Sequence, residues 1–404
     1  MKNQFLFSIG SLFAVEVLLS PVRVCHATLE SFDPYVFARV LYDSNLFRVS
    51  GNDEARALLG TTNKDDTIGH LGAGFKSDFR LSRQDLLVDL ELDRAMYDNF
   101  DDLDHTRIDG NATWKWVVGN LWSGNLGYNY LKRLRSFNEQ SFPEKDMRTE
   151  HRGFFDAGYQ LTPDWKLIGG IEYRDVSYQE RETLDRTAQG GLLQVTYRNT
   201  RNTRVGLRAK YTANDLRNEV DVAGVSINND YDEWQFSGVF YWEATGKSGL
   251  EASLGYTDVK YDEIDERDFQ GVTGTLTHQW ELTGKTRLDT TVWQETSTQE
   301  DEISTYVLTR GVRLKPIWSV TPVLSLRGEL AYYNDDYKGE NDIRGALGLD
   351  RREDDTWQLG IYANWLPRRY LNFSVGYRYQ DRDSTTDIND FKDNQVDTKV
   401  TLQF

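Results

Sequence analysis

The carboxyl-terminal segment 396–404 constrains the fold of this chain more than any other feature. In an extended strand its residues fall on two faces, with Val396, Thr398, Val400, Leu402 and Phe404 on one and Asp397, Lys399, Thr401 and Gln403 on the other. The first face suits lipid and the second suits water. Outer-membrane β-barrels close with an alternating strand that ends on an aromatic residue. We therefore interpret Val400, Leu402 and Phe404 as the C-terminal signature of such a barrel.

The same alternation recurs along the chain, and residues 86–93 show it most clearly. The outward positions are Leu86, Val88, Leu90 and Leu92, and the inward positions are Leu87, Asp89, Glu91 and Asp93. Because carboxylates cannot point at lipid, the inward face must meet water. About eighteen such segments of roughly 10 to 15 residues follow one another, and no helical period is sustained after residue 27. The pattern predicts an all-β fold, namely an antiparallel transmembrane β-barrel of about 18 strands.

The connections between these segments alternate in length. Short turns are predicted near residues 81–84, 119–121, 162–164, 199–202, 244–247, 283–285, 316–322 and 367–369, and long polar loops at 50–66, 136–147, 215–230, 334–354 and 381–390. Short periplasmic turns and longer extracellular loops are typical of outer-membrane barrels, so both termini are expected in the periplasm. The repetition of hairpins is interpreted as architectural, without a repeat in the sequence.

Composition agrees with a barrel, although hydropathy alone would classify the chain as soluble. Mean hydropathy is −0.63 and 27% of the residues are charged. No apolar run approaches the ~20 residues that a membrane helix needs. Aromatic residues make up 13% of the chain, with 22 Tyr and 11 Trp, as expected for aromatic girdles at two membrane interfaces. The net charge of −17 argues against a general nucleic-acid binder.

The amino-terminal segment 1–27 is interpreted as a secretory signal peptide. It has a basic start at Lys2, a mostly apolar run over 5–19, and small residues at Cys25 and Ala27 for cleavage. Cys25 as the acylated residue of a lipoprotein is the weaker alternative, because Arg23 and Val24 are poor matches for the small residues that usually precede such a cysteine. Residues 28–404 are then a single cysteine-free barrel domain in the bacterial outer membrane.

Several segments resemble a known family. Residues 35–48 (YVFARVLYDSNLFR) resemble the opening strand of the EpsL-type outer-membrane proteins of exopolysaccharide biosynthesis operons. Residues 158–167 (GYQLTPDWKL) and 375–379 (VGYRY) are similar to hairpins of that family. The resemblance implies a role in exporting or assembling a secreted polysaccharide. It supplies no catalytic residue.

Enzymatic and metal-binding readings are weaker. The nearest approach to a catalytic arrangement is Asp102, Asp104 and His105, where a carboxylate could orient an imidazole base, but an acidic solvated loop predicts the same residues. Two acidic groups could offer oxygen ligands to Ca²⁺ without the spacing of an EF-hand: Asp335, Asp336, Glu340 and Asp342 in one, and Asp262, Glu263, Asp265 and Glu266 in the other. We expect no enzyme, no cofactor and no dedicated metal site.

Basic residues at inward positions form the most informative polar set. Acidic residues Glu150, Asp156 and Glu172 are interspersed among them. The basic residues, on consecutive predicted strands, are Arg133, Arg135, Arg152, Lys166, Arg174, Arg198, Arg204, Arg208 and Lys210. One interpretation is a ladder of cross-strand ion pairs that satisfies a polar interior. The other is an electropositive wall that attracts an anionic polymer. The sequence leaves both open.

The favoured hypothesis is a monomeric barrel that conducts an exopolysaccharide passively. Its expected partners are outer-membrane lipids and lipopolysaccharide, the polysaccharide, and periplasmic and inner-membrane export machinery. The first alternative is a general diffusion porin, which would have a long loop folded inward. The second is a plugged structural or assembly factor, for which 50–66 and 334–354 are long enough to act as plug or constriction.

Overall fold

A computed structural model describes residues 28–138, 143–218, 220–222, 225–263, 268–297, 306–338 and 352–404. The predicted signal peptide, 1–27, lies outside these ranges. The strands are β1 (Thr28–Asp43), β2 (Asp66–Leu81), β3 (Gln84–Tyr97), β4 (His105–Val118), β5 (Trp122–Leu134), β6 (Met147–Gln160), β7 (Trp165–Tyr178), β8 (Arg186–Arg198), β9 (Arg204–Leu216), β10 (Val220–Val222), β11 (Val225–Ile227), β12 (Tyr231–Thr245), β13 (Ser248–Tyr261), β14 (Phe269–Thr283), β15 (Thr286–Ser297), β16 (Tyr306–Thr321), β17 (Leu324–Lys338), β18 (Glu353–Arg368), β19 (Leu371–Ser384) and β20 (Phe391–Gln403).

Eighteen of these strands form one closed antiparallel sheet. Each strand pairs with its neighbours in the chain, and β1 closes the ring by pairing with β20, with Tyr35 opposite Gln403. The short β10 and β11 form a separate hairpin inside the β9–β12 connection. The prediction of an antiparallel barrel of about 18 strands is confirmed. A closed ring leaves no unpaired strand edge in contact with lipid.

The outer face of the barrel is apolar, as the alternation predicts. Large hydrophobic side chains stand exposed along successive strands, for example Leu71, Ile171, Leu207 and Leu254 at 59%, 65%, 68% and 66%. Tryptophans mark the end of the barrel nearest the short turns: Trp122, Trp165, Trp242, Trp280, Trp318 and Trp365. Exposed apolar side chains flanked by aromatic residues are the outer surface of a protein that sits in a bilayer.

Helical structure is minor in the part of the chain that the structure describes. The helix α1 (Asn52–Leu59) lies in the loop between β1 and β2, and three-residue helical turns occur at Asp101–Leu103, Glu182–Leu184 and Asp387–Asn389. Within the described ranges, no helix has both the length and the apolar character needed to cross a membrane.

One predicted turn is wrong. Residues 316–322 were predicted to turn as a unit, but β16 continues through Pro316 to Thr321. The register with β17 is interrupted there, passing from Leu314 opposite Leu330 to Ile317 opposite Arg327. Proline has no N–H to donate, so it breaks the ladder locally without ending the strand.

Candidate pore lining and mouth

The structure brings part of the predicted basic set together on β6 and β7. Arg152 donates to the Glu172 carboxylate at 2.6 and 2.9 Å, and Arg174 donates to the other oxygen of Glu172 at 3.1 Å. Glu150 completes the group, with its carboxylate 2.7 Å from Arg148 and 3.6 Å from Arg174. These three arginines and two glutamates form a ladder of cross-strand ion pairs.

Residues on β8 and β9 are held differently. Arg208 donates to the amide oxygen of Gln194 at 2.8 Å, and the Arg204 guanidinium lies 4.0 Å from the ring centre of Tyr241. Lys210 borders a small recess with Glu172. No carboxylate among the described residues lies within ion-pair distance of Arg204 or Arg208, so these guanidinium charges are not neutralised by a direct partner on the wall.

The remaining predicted basic residues lie apart from this group. Lys166 donates to the Ser123 hydroxyl at 3.0 Å. Arg198 ends β8 near a short turn, opposite Arg204. Arg133 is exposed near the end of β5, whereas Arg135, beyond that end, is 2% exposed and 3.9 Å from the buried Asp146. Arg135 therefore belongs to the packing at the mouth of the barrel.

A second basic wall, which the sequence analysis missed, lies on β16–β19, on the far side of the ring from β6–β9. It contains Arg313, Lys315, Arg327 and Arg378. Glu329 lies 3.4 Å from Arg313 and 4.0 Å from Lys315. The alternation of these basic residues with Leu314, Leu326, Tyr377 and other apolar residues was visible in the sequence. The two basic walls thus face each other across the lumen.

Four inward aromatic rings lie flat on the wall because a glycine is opposite each of them. A β-carbon on these glycines would overlap the ring, and a cation is stacked on the aromatic residue in each case. We call such a set a triad. The triads, written as aromatic residue, glycine and cation, are Phe37, Gly72 and Lys399; Phe154, Gly127 and Arg152; Trp293, Gly311 and Arg313; and Tyr362, Gly376 and Arg327.

The loop between β1 and β2, residues 44–65, folds inward and is called the mouth loop here. Its Phe47 makes edge contacts with Phe100 at 4.8 Å and Phe137 at 4.7 Å between ring centres. A buried apolar cluster surrounds these rings and includes inward residues of the wall: Leu46, Val49, Ala55, Ile68, Ala95 and Leu103, with Leu41 and Tyr97 packed against it. Of the two loops predicted to plug or constrict the barrel, 50–66 belongs to this packing. Residues 339–351 of the other lie outside the described ranges.

Arg48 anchors the mouth loop to the wall. Its guanidinium lies 2.9 Å from Asp43 on β1 and 3.2 Å from Asp393 on β20, and it donates to Asn138 at 2.7 Å. The Arg48 side chain is 8% exposed, and its backbone φ of +61° is in the left-handed region. A buried cation between two carboxylates holds the loop at the point where the barrel closes.

A recurring aspartate closes the extracellular hairpins. It directly precedes the returning strand, and its carboxylate accepts the backbone N–H of the last residue of the outgoing strand. The donor and acceptor pairs are Tyr97 and Asp104, Tyr178 and Asp185, Leu216 and Asp230, Tyr261 and Asp268, and Ser384 and Asp390, at 2.6–2.9 Å. Because tyrosine and aspartate are seven positions apart in three of these pairs, the hairpins do carry a short sequence repeat that the sequence analysis overlooked.

Three of the weaker candidates, Asp104, His105 and Asp335, make contacts within the fold. Asp104 closes a hairpin, and the His105 Nδ1 lies 2.8 Å from the carbonyl oxygen of Leu103. In the acidic groups, Asp335 accepts from the Thr309 hydroxyl at 2.6 Å. Glu340, Asp342, Asp265 and Glu266 lie outside the described ranges. Within those ranges, no three acidic, histidine or cysteine residues are grouped so that they could hold a metal ion.

Comparison with known proteins supports a porin-like barrel. A family model described as "Putative beta-barrel porin 2" matches residues 237–404. No curated protein matches the sequence. Similar solved structures include Pseudomonas aeruginosa OccK2 (OpdF), with a TM-score of 0.51, 12% identity, and coverage of 94% of this chain and 100% of that one. The BenF-like porin of Pseudomonas fluorescens Pf-5 has a TM-score of 0.50, 10% identity, and coverage of 93% and 100%.

Two further structures contain ligands. OccK2 in complex with glucuronate gives a TM-score of 0.50 at 12% identity, covering 94% of this chain and 100% of that one. Pseudomonas aeruginosa OpdK with vanillate gives 0.50 at 12% identity, covering 93% and 100%. At these identities the likeness is one of fold. Together with the apolar outer face, the comparisons identify the chain as a porin-like β-barrel of the outer membrane.

Proposed function

We propose that this barrel is a passive pore for small anionic solutes. The observation that carries the proposal is the pair of basic walls, β6–β9 and β16–β19, that face each other across the ring. Cations on low-dielectric walls focus the field within a water-filled lumen, so they concentrate anions more than the same charges would on an open surface. The acidic net charge of −17 does not oppose this, since many carboxylates lie in the extracellular loops.

The inward mouth loop favours small solutes. A loop packed against inner-wall residues such as Ile68 and Ala95 occupies part of the mouth, which restricts the cross-section available to a polymer. This arrangement corresponds to the diffusion-porin alternative rather than to an open polymer conduit. The similar barrels solved with glucuronate and vanillate hold carboxylates, which is the solute class that the basic walls would attract.

Ion selectivity in planar bilayers tests this function. In a salt gradient, the reversal potential of the purified barrel should indicate anion selectivity. Arg208→Glu should move it toward cation selectivity, because Arg208 has no carboxylate partner on the described wall. Arg369→Glu, at an exposed short turn, is the matched control and should leave it unchanged. A barrel without conductance, or one selective for cations, would contradict the proposal.

Exopolysaccharide export is the second candidate function, resting on the resemblance of residues 35–48, 158–167 and 375–379. Its partners would be the polysaccharide, lipopolysaccharide at the surface, and a periplasmic export complex, with the barrel acting as a monomer. A deletion strain distinguishes the two functions. Loss of polysaccharide from the culture fluid supports export, whereas unchanged polysaccharide with slower uptake of small organic acids supports the pore.

A further inference from the structure

We propose that Arg327, Tyr362 and Arg378 form a binding subsite that selects carboxylates over other anions. The subsite rests on the proposed pore function and specifies its solute class. The three residues lie on adjacent strands of the inner wall: Arg327 on β17 is directly opposite Tyr362 on β18, and Arg378 on β19 is opposite Gly360. The structure therefore places two guanidinium groups on either side of one aromatic residue.

Glycines make this part of the wall shallow. Tyr362 lies over Gly376, its partner in register on β19, and over Gly360 on its own strand. A β-carbon would stand 2.6 Å from the Tyr362 ring at Gly376 and 2.7 Å from it at Gly360. With no side chain at either glycine, the ring can lie against the backbone. The wall between Arg327 and Arg378 therefore consists of one ring that lies on two glycines.

Stacking orients one of the arginines. The Arg327 guanidinium lies 4.4 Å from the centre of the Tyr362 ring. A guanidinium stacked on a ring keeps its N–H groups in its own plane, so its donors point sideways rather than into the ring. Such a fixed fork matches the two oxygens of a carboxylate and loses less entropy on binding than a mobile side chain does.

No carboxylate among the described residues lies within ion-pair distance of either arginine. The Nε atoms of Arg327 and Arg378 are buried and make no hydrogen bond within the described residues. The neighbouring carboxylates are engaged by other cations: Glu329 lies beside Arg313 and Lys315, and Asp397 is paired with Arg39. Asp393, which acts on Arg378 only beyond ion-pair distance, is paired with Arg48. The two cations that flank Tyr362 are therefore left without a direct ion-pair partner among the described residues. A buried donor without a partner favours a ligand that supplies an acceptor.

Binding of defined solutes to the detergent-solubilised full-length barrel tests the subsite. Titration calorimetry in 0.15 M sodium chloride uses benzoate and glucuronate, with benzyl alcohol and glucose as their uncharged counterparts. Saturable binding of either acid against excess chloride, with binding at least about tenfold weaker for its neutral counterpart, is expected. Equal binding of the acid and its counterpart, or no binding of either acid, would overturn the proposal.

Variants separate fork geometry from charge. Arg327→Lys and Arg378→Lys keep the charge but lose the planar fork, so each should weaken acid binding about tenfold while leaving the reversal potential anion-selective. Arg287→Gln, on an inward arginine paired with Asp289, is the control and should bind as the native barrel does. Heat-modifiable migration confirms that each variant is folded.

The outcomes distinguish this subsite from the pore function. Unchanged acid binding in both lysine variants would overturn the subsite while leaving an anion-selective pore intact. Conversely, a barrel that binds benzoate in the expected way but conducts no ions would retain the subsite and refute the pore.

Discussion

The ring of Phe154 on β6 lies flat over Gly127 on β5, its direct partner in register, and a β-carbon on that glycine would overlap the ring. We expect Gly127→Ala to destabilise the barrel by about 1–3 kcal/mol, as overpacking does, and to push the ring toward the lumen. The free energy of unfolding measured in urea and the single-channel conductance should both fall. Gly153→Ala, which has open space around it, should behave as the native protein.

A second substitution isolates the cause. Replacing Phe154 with Leu in the Gly127→Ala background removes the overlapping ring and should recover much of the lost conductance. If the conductance does not recover, Gly127 is needed for another reason, such as the conformation of β5 itself.

Arg48 offers a test of the mouth loop. Arg48→Ala leaves Asp43 and Asp393 buried without their shared cation, which costs about 3–5 kcal/mol when a buried pair is broken. The loop is joined to the wall by this contact and by the Phe47 cluster. We therefore expect Arg48→Ala to release the loop, and the channel current to become larger and noisier. Arg56→Ala, on the exposed face of α1, is the control and should leave the current unchanged.

Arg174 and Arg208 should respond differently to the same change. Arg174→Gln removes a cation from between Glu150 and Glu172, so we expect a loss of about 1–3 kcal/mol in unfolding free energy with little change in selectivity. Arg208→Gln breaks no ion pair on the described wall and should lower anion selectivity at nearly native stability. If Arg174→Gln lowered anion selectivity and Arg208→Gln lowered stability, the paired arginines, rather than the unpaired ones, would set the lumen potential.

The closing aspartates predict a contrast between two substitutions at Asp185. Asparagine keeps an oxygen that can accept the Tyr178 N–H, whereas alanine does not, so amide exchange at Tyr178 should be faster in Asp185→Ala than in Asp185→Asn. Equal exchange in both variants would show that the carboxylate is dispensable for closure.

Burial adds a pH dependence to this hairpin, because it raises the pKa of Asp185 above its ordinary value. A carboxyl with a raised folded-state pKa binds protons more tightly when folded. Its contribution to stability is therefore full below the unfolded value of about 3.9 and is lost as pH rises through the folded pKa. The protection of Tyr178 in the native protein, relative to Asp185→Asn, should decline as pH rises from about 4.

The lipid-facing side of β3 gives a direct test of orientation. Leu90→Arg places a charge near the bilayer midplane and should cost about 2–4 kcal/mol in unfolding free energy, whereas Asp89→Asn on the inner face should be tolerated. The same unfolding assay measures both, and the reverse order would mean that the faces of β3 are assigned the wrong way round.

The strand faces were predictable because the direction of a side chain in a strand is a local property. Leu86 and Leu92 stand exposed on the outside while Asp93 is buried inside, as the alternation of β3 requires. The same rule would have identified Arg327 and Arg378, had the later strands been searched for basic residues as the earlier ones were.

What the sequence did not reveal depends on contacts between distant segments. Alternation places Arg133 and Arg135 on the same side, yet one is exposed and the other is buried beside Asp146, because β5 ends between them. The inward course of the mouth loop depends on Phe47 meeting Phe100 and Phe137 from two other loops. No pattern within residues 44–65 specifies those partners.

Each closing aspartate accepts, through its carboxylate, the N–H that ends the outgoing strand of its own hairpin, at the point where the chain leaves the membrane. Where the peptide between the donor and the aspartate makes no contact with another hairpin, it bears little on how the two strands are joined. A segment such as 386–389, between Ser384 and Asp390, can differ in length and charge from one variant of this protein to another while the same β-structure is kept. A cell under attack by antibodies or phages could thus change the surface it displays without having to evolve a new pore.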